Sequence, residues 1–109
     1  MNAKRPIKTR VPKLVIWWKS LKRHPLNISV GEEVFAQRTR RHWSYDDVHD
    51  ATGISKSHLW NIEHGLHTLS LDVILALEAV FDMVPNGLLI LARRRMMKKP
   101  TILQMIRSV

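Results

Sequence analysis

The stretch WSYDDVHDATGISKSHLWNIEHG, residues 43–65, decides the fold of this chain. Ser44 is followed three residues later by Asp47, which is the pattern of an N-cap serine with an acidic partner, so a helix can begin there. Gly53 marks the end of that helix, and Ser55 can cap the next one. The stretch therefore predicts two short helices joined by a sharp turn.

The second of these helices has an apolar face and a polar face. Leu59 and Ile62 lie three residues apart and can pack inward, and Gly65 ends the helix. Four residues face outward: Lys56, Ser57, Trp60 and Asn61. A second helix with a polar outward face is the part of a helix-turn-helix that enters a DNA groove.

The same stretch resembles the phage-repressor/Cro type of helix-turn-helix, known as the Xre family. The matching residues, in order and spacing, are Trp43-Ser44, Asp46-Asp47-Val48, Gly53-Ile54-Ser55, Leu59 and Ile62-Glu63-His64-Gly65. The departures are Tyr45, His49, Trp60 and Leu69, where the family usually carries Gln, Ala, a small polar residue and Pro. The resemblance covers about residues 29–91 and implies an all-α, five-helix, phage-repressor-like domain.

The composition restricts the class of protein. A chain of 109 residues is one domain with extensions. The absence of cysteine excludes disulfides and thiolate metal sites and favours an intracellular protein. The longest strongly apolar run, residues 87–92, is too short to cross a bilayer, and the N-terminus lacks the apolar core of a secretory signal. We therefore expect a cytoplasmic, nucleoid-associated protein that does not interact with membranes.

The net charge of +9 is distributed unevenly. Residues 1–28 carry eight Lys or Arg and residues 93–109 carry six, with no acidic residue in either segment. Residues 29–92 carry nine acidic and four basic residues. We predict a basic N-terminal arm with a short amphipathic helix (1–28), a helix-turn-helix DNA-binding domain (29–92) and a basic C-terminal extension that is a candidate dimerisation element (93–109). The extensions either bind phosphates or are only solvated.

The predicted N-terminal helix is an addition to the resembled domain. Pro12 can open it, apolar residues recur at helical spacing from Val11 to Leu21, and His24-Pro25 is expected to end it. Trp17-Trp18 should dock on the domain or on a second subunit, because each indole can bury a large apolar area. Phe35 is either covered by these tryptophans or exposed alone.

Three further helices are predicted around the central pair. Ser29 with Glu32 is a capping box that starts a helix over about 30–41. A strongly apolar helix follows over about 71–83, and the last runs over about 88–99. The last helix is apolar around much of its circumference, which favours either a subunit interface or deep burial. The predicted dimer interface comprises Leu88, Leu89, Leu91, Trp17 and Trp18.

The resemblance also implies roles for individual residues. Arg38 and Glu63 occupy the positions of an internal ion pair that holds the first helix against the third. The predicted base contacts are Lys56, Ser57, Asn61 and Trp60, of which Trp60 either packs on a thymine or folds back on the domain. The predicted phosphate contacts are Tyr45, Ser55, His64, His67, Thr68, Lys4 and Arg5. For the loop residues among them, ordinary solvation is the alternative.

Other chemistry finds little support in the sequence. Six histidines include His64 and His67 at a short spacing, but there is no cysteine and no HExxH helix, so we predict no metal site. Asp46 and Asp47 are explained as first-turn helix charges. The chain has no Gly-rich phosphate loop and no nucleophile elbow. We therefore predict that it is not an enzyme and takes no cofactor.

Two functions from different classes fit these observations. The first is a sequence-specific regulator of transcription from a bacterium, phage or mobile element, acting as a homodimer on a palindromic DNA operator and more often repressing than activating. The second is a protein-interaction module, such as an antitoxin that masks a toxin and regulates its own operon. Polymerase is another possible protein partner. Basic tails that bind nucleic acid without sequence preference are a third alternative.

Overall fold

The computed structural model describes residues 24–99, which fold into five helices without a strand in that range. The helices are α1 Pro25–Arg40, α2 Tyr45–Thr52, α3 Lys56–Glu63, α4 Leu71–Val80 and α5 Gly87–Lys98. This confirms the prediction of an all-α, five-helix domain. The extra N-terminal helix and the end of the C-terminal extension fall outside the described residues. None of the described helices is long and apolar enough to cross a membrane.

Helix α1 begins four residues before Ser29, so the predicted start at a Ser29–Glu32 capping box is wrong. His24 is the N-cap instead, and its Nδ1 accepts from the backbone N–H of Leu26 at 3.1 Å. Pro25 occupies the first helical position, where a fixed φ and a missing N–H cost nothing. The His24-Pro25 pair therefore starts a helix where we expected it to end one. Helix α1 also runs through the predicted boundary between residues 28 and 29.

The turn between α2 and α3 follows the predicted chemistry. Ser44 and Asp47 form a reciprocal capping box at the start of α2, with distances of 2.7 and 3.1 Å. Gly53 adopts φ +79°, a left-handed conformation that glycine enters without steric cost. Ser55 caps α3 by accepting from the N–H of His58. These local predictions are confirmed.

The core lies where all five helices meet. Leu59 and Ile62 of α3 are fully buried, as predicted. The other buried apolar residues are Val30, Val34, Val48, Ile54, Leu77, Phe81, Leu88, Ala92 and Met96. Phe81 follows α4, and its ring stacks on the indole of Trp43 at a centroid distance of 5.9 Å. The core therefore fixes the inward face of α3 and leaves its other face for solvent or a ligand.

Helix α1 packs against α3 on one side and α5 on the other. On the α3 side, Gly31 allows the backbones to approach so closely that an added Cβ would lie 2.7 Å from the carbonyl oxygen of Glu63. On the α5 side, Glu33 pairs with Arg95 at 2.7 Å and Glu32 with Lys99 at 3.1 Å. Positions 31 and 33 differ by about 200° around a helix, so α3 and α5 contact opposite flanks of α1.

Helix α5 is capped by a side chain from α4. The carboxylate of Glu78 is buried and accepts from the backbone N–H of Leu88 at 3.2 Å. Asn86, the residue before the helix, gives no side-chain cap and has φ +67°. A carboxylate at this end also compensates the positive end of the helix dipole. Helix α5 is thus continuous across the predicted domain boundary between residues 92 and 93.

Candidate functional site

Helix α3 presents to solvent the residues expected to contact bases. Lys56, Ser57 and Trp60 are exposed, and Asn61 is partly exposed. Leu59 and Ile62 hold the opposite face of the helix in the core. The structure therefore brings the four predicted base-contact residues together on one outward surface, which we call the α3 face (Lys56, Ser57, Trp60 and Asn61).

The turn that sets the angle of α3 has side-chain supports that sequence reasoning missed. His49, a departure from the resembled family, places Nδ1 2.8 Å from the carbonyl oxygen of Ile54, so this nitrogen carries the donating proton. The Thr52 hydroxyl donates to the Val48 carbonyl at 2.7 Å and accepts from the Ile54 N–H at 3.1 Å. No spacing rule indicates these bonds, because they depend on how the turn closes.

The carboxylate of Glu63, the last residue of α3, lies at the centre of an internal network. Arg38 of α1 donates to it twice, from Nε at 2.6 Å and from Nη2 at 2.9 Å. The third guanidinium nitrogen of Arg38 donates to the carbonyl of Trp43 at 2.9 Å. The Glu63 side chain is only 2% exposed, and a buried carboxylate requires such partners. This bidentate pair fixes the end of α3 to α1.

Tyr45 belongs to the same network, which changes its expected role. Its hydroxyl donates to Glu63 Oε1 at 2.8 Å, and the Arg38 guanidinium lies over its ring at 4.2 Å from the centroid. Because a phenol has one O–H, the proton that we expected to reach a phosphate is held by Glu63. The structure places Tyr45 between α1, α2 and α3, so a phosphate contact through this donor is not compatible with it.

The network changes the protonation equilibria of its members. The hydrogen bond with Glu63 raises the pKa of Arg38, against the opposing effect of burial. Burial raises the pKa of Tyr45, and the hydrogen bond to Glu63 raises it further. Both groups therefore keep their protons well above neutral pH, and the network holds one buried carboxylate with two permanent donors.

Lys56 is the only basic residue on the α3 face, and it already has a partner. Its Nζ lies 2.9 Å from Asp46 Oδ1, near the start of α2, and both side chains are well exposed. The hydrogen bond with Asp46 raises the pKa of Lys56. Exposed pairs of this kind exchange readily with other partners. Lys56 is therefore a fully charged cation whose present partner an incoming phosphate or base can replace.

Trp60 lies on the outer side of α3 and pairs with the residue that follows the helix. Its indole stacks on the ring of His64, one helical turn later, with centroids 3.7 Å apart and planes 17° apart. His64 Nδ1 lies 2.7 Å from the carbonyl oxygen of Trp60, which fixes the imidazole beneath the indole. The indole remains partly exposed. The pair forms a flat aromatic surface beside Asn61 on the outer side of α3.

The loop after α3 contains the remaining predicted phosphate contacts. His67 packs against His58 of α3, with 3.4 Å between their Nδ1 atoms. The Thr68 hydroxyl oxygen accepts from Asn27 Nδ2 of α1 at 3.1 Å. Ser55 uses its hydroxyl oxygen as the α3 cap. The structure thus joins this loop to both α3 and the start of α1. Lys4 and Arg5 lie outside the described residues.

The predicted dimer interface requires a correction. Leu88 is fully buried on the inner side of α5, so it cannot contact a second subunit. Leu89 is half-buried against the core, and Leu91 is half-buried as well. The apolar residues of α5 that do face solvent are Ile90 and Met97. Much of the apolar excess that suggested an interface is therefore used within the monomer. Trp17 and Trp18 lie outside the described residues.

Metal-ligand geometry does not occur between residues 24 and 99. No three side chains from His, Cys, Asp and Glu converge there at distances that could hold an ion. Four histidines on or beside α2 and α3 are ring and hydrogen-bond partners of the protein itself: His49, His58, His64 and His67.

One comparison with known proteins identifies the central part of the chain. Residues 34–85 match the family model described as helix-turn-helix. This match includes the C-terminal part of α1, all of α2 to α4, and the turn that positions α3. No curated protein and no solved structure matches the chain.

Proposed function

We propose that the protein is a repressor that binds a palindromic operator as a homodimer. The match of residues 34–85 to the helix-turn-helix family model, of the Xre/Cro type, supports a DNA-binding regulator of transcription. The observation that carries this proposal is the α3 face, held outward by a rigid network behind it. Homodimers of this class place two recognition helices about 34–36 Å apart, one turn of DNA.

The α3 face supplies complementary donors and acceptors for base edges. Lys56 can donate to the guanine O6 and N7, and Asn61 can bond adenine through two atoms. The Ser57 hydroxyl can donate a hydrogen bond to a base edge or accept one from it. The Trp60–His64 stack offers an apolar surface for a thymine methyl or a sugar edge. A side chain that bonds one base through two atoms discriminates against the wrong base by about 1–3 kcal/mol.

The N-terminal arm begins beside the proposed phosphate-binding loop. The Asn27–Thr68 hydrogen bond holds the start of α1 against the loop after α3, and an added Cβ on Gly65 would touch Ile28. The segment that enters at His24 therefore emerges at the edge of the α3 side of the domain. This position supports phosphate contacts by Lys4 and Arg5 of the arm and by His64, His67 and Thr68 of the loop.

Replacement of Asn61 by Ala tests the base-contact role. We expect the variant to lose sequence preference while keeping its affinity for random DNA, because phosphate contacts are unchanged. Asn86→Gly is the matched control, since this exposed asparagine lies before α5 and glycine adopts its positive φ. The measurement is selection of bound sequences from a random duplex pool with each protein.

Three outcomes of that selection are informative. A palindromic consensus for the native chain that disappears only in Asn61→Ala supports both recognition and dimerisation. A consensus without two-fold symmetry contradicts the homodimer. Equal recovery of unrelated sequences by the native chain contradicts sequence recognition and leaves basic tails that bind any duplex.

A protein-interaction role is the second candidate, and exposed apolar residues near α5 favour it. Val84, Ile90 and Met97 are exposed on α5 or just before it, and α5 packs on the flank of α1 opposite to α3. An antitoxin could bind a toxin there while α3 binds its operator. Coexpression with the neighbouring gene tests this role: copurification of a small partner that Ile90→Ser abolishes would support it, and no copurification would contradict it.

A further inference from the structure

The outward face of α4 is apolar, although no residue between 24 and 99 covers it. Leu71 is 76% exposed and Leu75, one turn later, is 64% exposed. Ala79 continues the same row, and the exposed Asp72 lies beside its N-terminal end. The opposite face carries the buried Leu77, so α4 is apolar on both sides. A helix with this character is normally buried on both sides, which indicates that an occupant is missing.

We propose that residues 11–21 of this same chain cover that face, with Trp17 and Trp18 packed on Leu71 and Leu75. Apolar residues recur in this segment at helical spacing, and it contains the contiguous run LVIWW. Its two indoles need an apolar partner, and the row along α4 is the most exposed apolar surface of the described domain. This inference concerns the free protein and does not depend on the proposed operator.

The point of attachment favours this occupant. The chain enters the described domain at His24, one helical turn before Asn27. Asn27 bonds to Thr68, and only two residues separate Thr68 from Leu71 at the start of α4. The six-residue step from Trp18 to His24 can span about 20 Å when extended. The tryptophans can therefore reach α4 without any rearrangement of the domain.

The positive charge of the segment favours contact with α4 over contact with the exposed apolar residues of α5. Segment 11–23 carries Lys13, Lys19, Lys22 and Arg23 and no acidic residue. On α5, the exposed Ile90 and Met97 are separated by Arg93 and Arg94, which would repel such a segment. On α4, Asp72 lies at the edge of the apolar row and attracts it. Asp82 lies beside Val84 and Ile90, but Arg93 and Arg94 outweigh its charge, whereas no basic residue lies on α4.

A double-mutant cycle on the full chain tests the contact. Leu75→Ala is made in the native background and in a background with Trp17→Ala and Trp18→Ala. We expect Leu75→Ala to lower the Tm in the native background and to leave it unchanged when the tryptophans are absent, because contacting residues are not additive. Val84→Ala, an exposed apolar residue beside α5, is the matched control and should give the same shift in both backgrounds. Equal shifts for Leu75→Ala in both backgrounds would overturn the proposal.

Crosslinking distinguishes this occupant from a second copy of the chain. A photoreactive residue at position 71 in the full chain, irradiated without DNA, should give a product of single-chain mass whose crosslinked peptide contains residues 11–21. A product of twice the mass would make the α4 face a subunit interface. Absence of crosslinks would leave it exposed. Either of these two results would overturn the proposal, whatever the outcome of the operator selection.

Discussion

At the scale of single residues, the Glu63 carboxylate joins three helices of the domain. It belongs to α3, receives two hydrogen bonds from Arg38 of α1 and one from Tyr45 of α2. Each partner removes part of the desolvation cost of a carboxylate that is almost entirely buried. The tyrosine that replaces a glutamine of the resembled family therefore strengthens the support behind α3, and its hydroxyl is not presented to DNA.

The first prediction at this scale concerns the ionisation of Tyr45. Its pKa is raised in the folded protein, so the stability it contributes is full below the ordinary value of about 10 and is lost as the pH rises through the raised pKa. Because Tyr45 is the only tyrosine in the chain, ultraviolet difference titration near 295 nm reports it directly. We expect a midpoint above 10 in the native protein and near 10 in urea. Equal midpoints would contradict the network.

The second prediction concerns the ion pair of Lys56. Asp46→Asn removes its partner and a negative charge near the α3 face, so affinity for DNA should rise a few-fold as Lys56 becomes available. Asp50→Asn makes the same change of charge on α2 without breaking that 2.9 Å pair. Binding titrations at two salt concentrations compare the variants. An equal gain from both substitutions would mean that net charge alone is responsible.

At the scale of elements, the start of α1 shows how two rules compete. Ser29 and Glu32 have the spacing of a capping box, but His24 and Pro25 provide a cap and a first helical residue one turn earlier. The helix takes the earlier start because this adds a turn that buries Pro25 and brings Asn27 to Thr68. Ser29 is then enclosed inside the helix, and its hydroxyl has no hydrogen-bond partner among the described residues.

This placement gives opposite predictions for two serines. Ser29→Ala should raise the free energy of unfolding by about 1 kcal/mol, since it removes a buried, unsatisfied hydroxyl. Ser44→Ala, the matched control at the α2 cap, should lower it by about 1 kcal/mol. Urea denaturation of the native chain and of the two variants measures the three free energies of unfolding. A loss of stability in Ser29→Ala would mean that its hydroxyl has a partner or a capping role.

The contact between α1 and α3 gives the next prediction. Gly31→Ala should destabilise the domain by about 1–3 kcal/mol, because the new methyl group meets the backbone carbonyls of Ile62 and Glu63, which cannot move aside. This loss should exceed the gain of about 1 kcal/mol in helix propensity. Gly53→Ala meets no atom within 4 Å and reports backbone strain alone. Thermal unfolding of both variants measures the difference, and a stabilised Gly31→Ala would disprove the close approach.

Local signals predicted most elements, and tertiary contacts account for the errors. The α2 capping box, Gly53 and the inward pair Leu59 and Ile62 follow from short-range chemistry, so the sequence was sufficient for them. The burial of Leu88 depends on how α5 meets α1 and α4, which no local pattern contains. The His49 and Thr52 bonds likewise depend on the closed turn. The resemblance pointed to Arg38 and Glu63, whereas the third partner, Tyr45, required the structure.

At the scale of the whole molecule, the two basic extensions are not equivalent. The N-terminal arm joins the domain beside the loop after α3, whereas α5 packs on the opposite flank of α1. Two of the C-terminal basic residues, Arg95 and Lys99, are neutralised by Glu33 and Glu32. The composition gives both ends a large positive charge, but charge is available to a ligand near α3 mainly from the N-terminal side.

Truncation tests this asymmetry. Residues 1–10 contain four basic residues, so their deletion should weaken binding to all duplexes alike and reduce the slope of log K against log salt by up to about 4. Substitution of Arg93, Arg94 and Lys98 by Gln removes three charges from α5 and should change the slope by less than one. Fluorescence anisotropy over a range of salt concentrations gives both slopes. Equal reductions of the salt slope in both variants would contradict the conclusion that the N-terminal side supplies most of the phosphate contacts.

Helix α3 has an anchored side and an outward side, so substitutions that affect folding and substitutions that affect recognition fall on different residues of one short helix. Substitutions at Leu59, Ile62 or Glu63 change whether the chain folds. Substitutions at Lys56 or Ser57 should leave the packing unchanged, because these side chains are exposed, and Asn61 is half-buried at the border of the packed side. A lineage, or an engineer, can therefore exchange the outward positions one at a time and retarget the protein to a new operator, with every intermediate remaining a folded molecule.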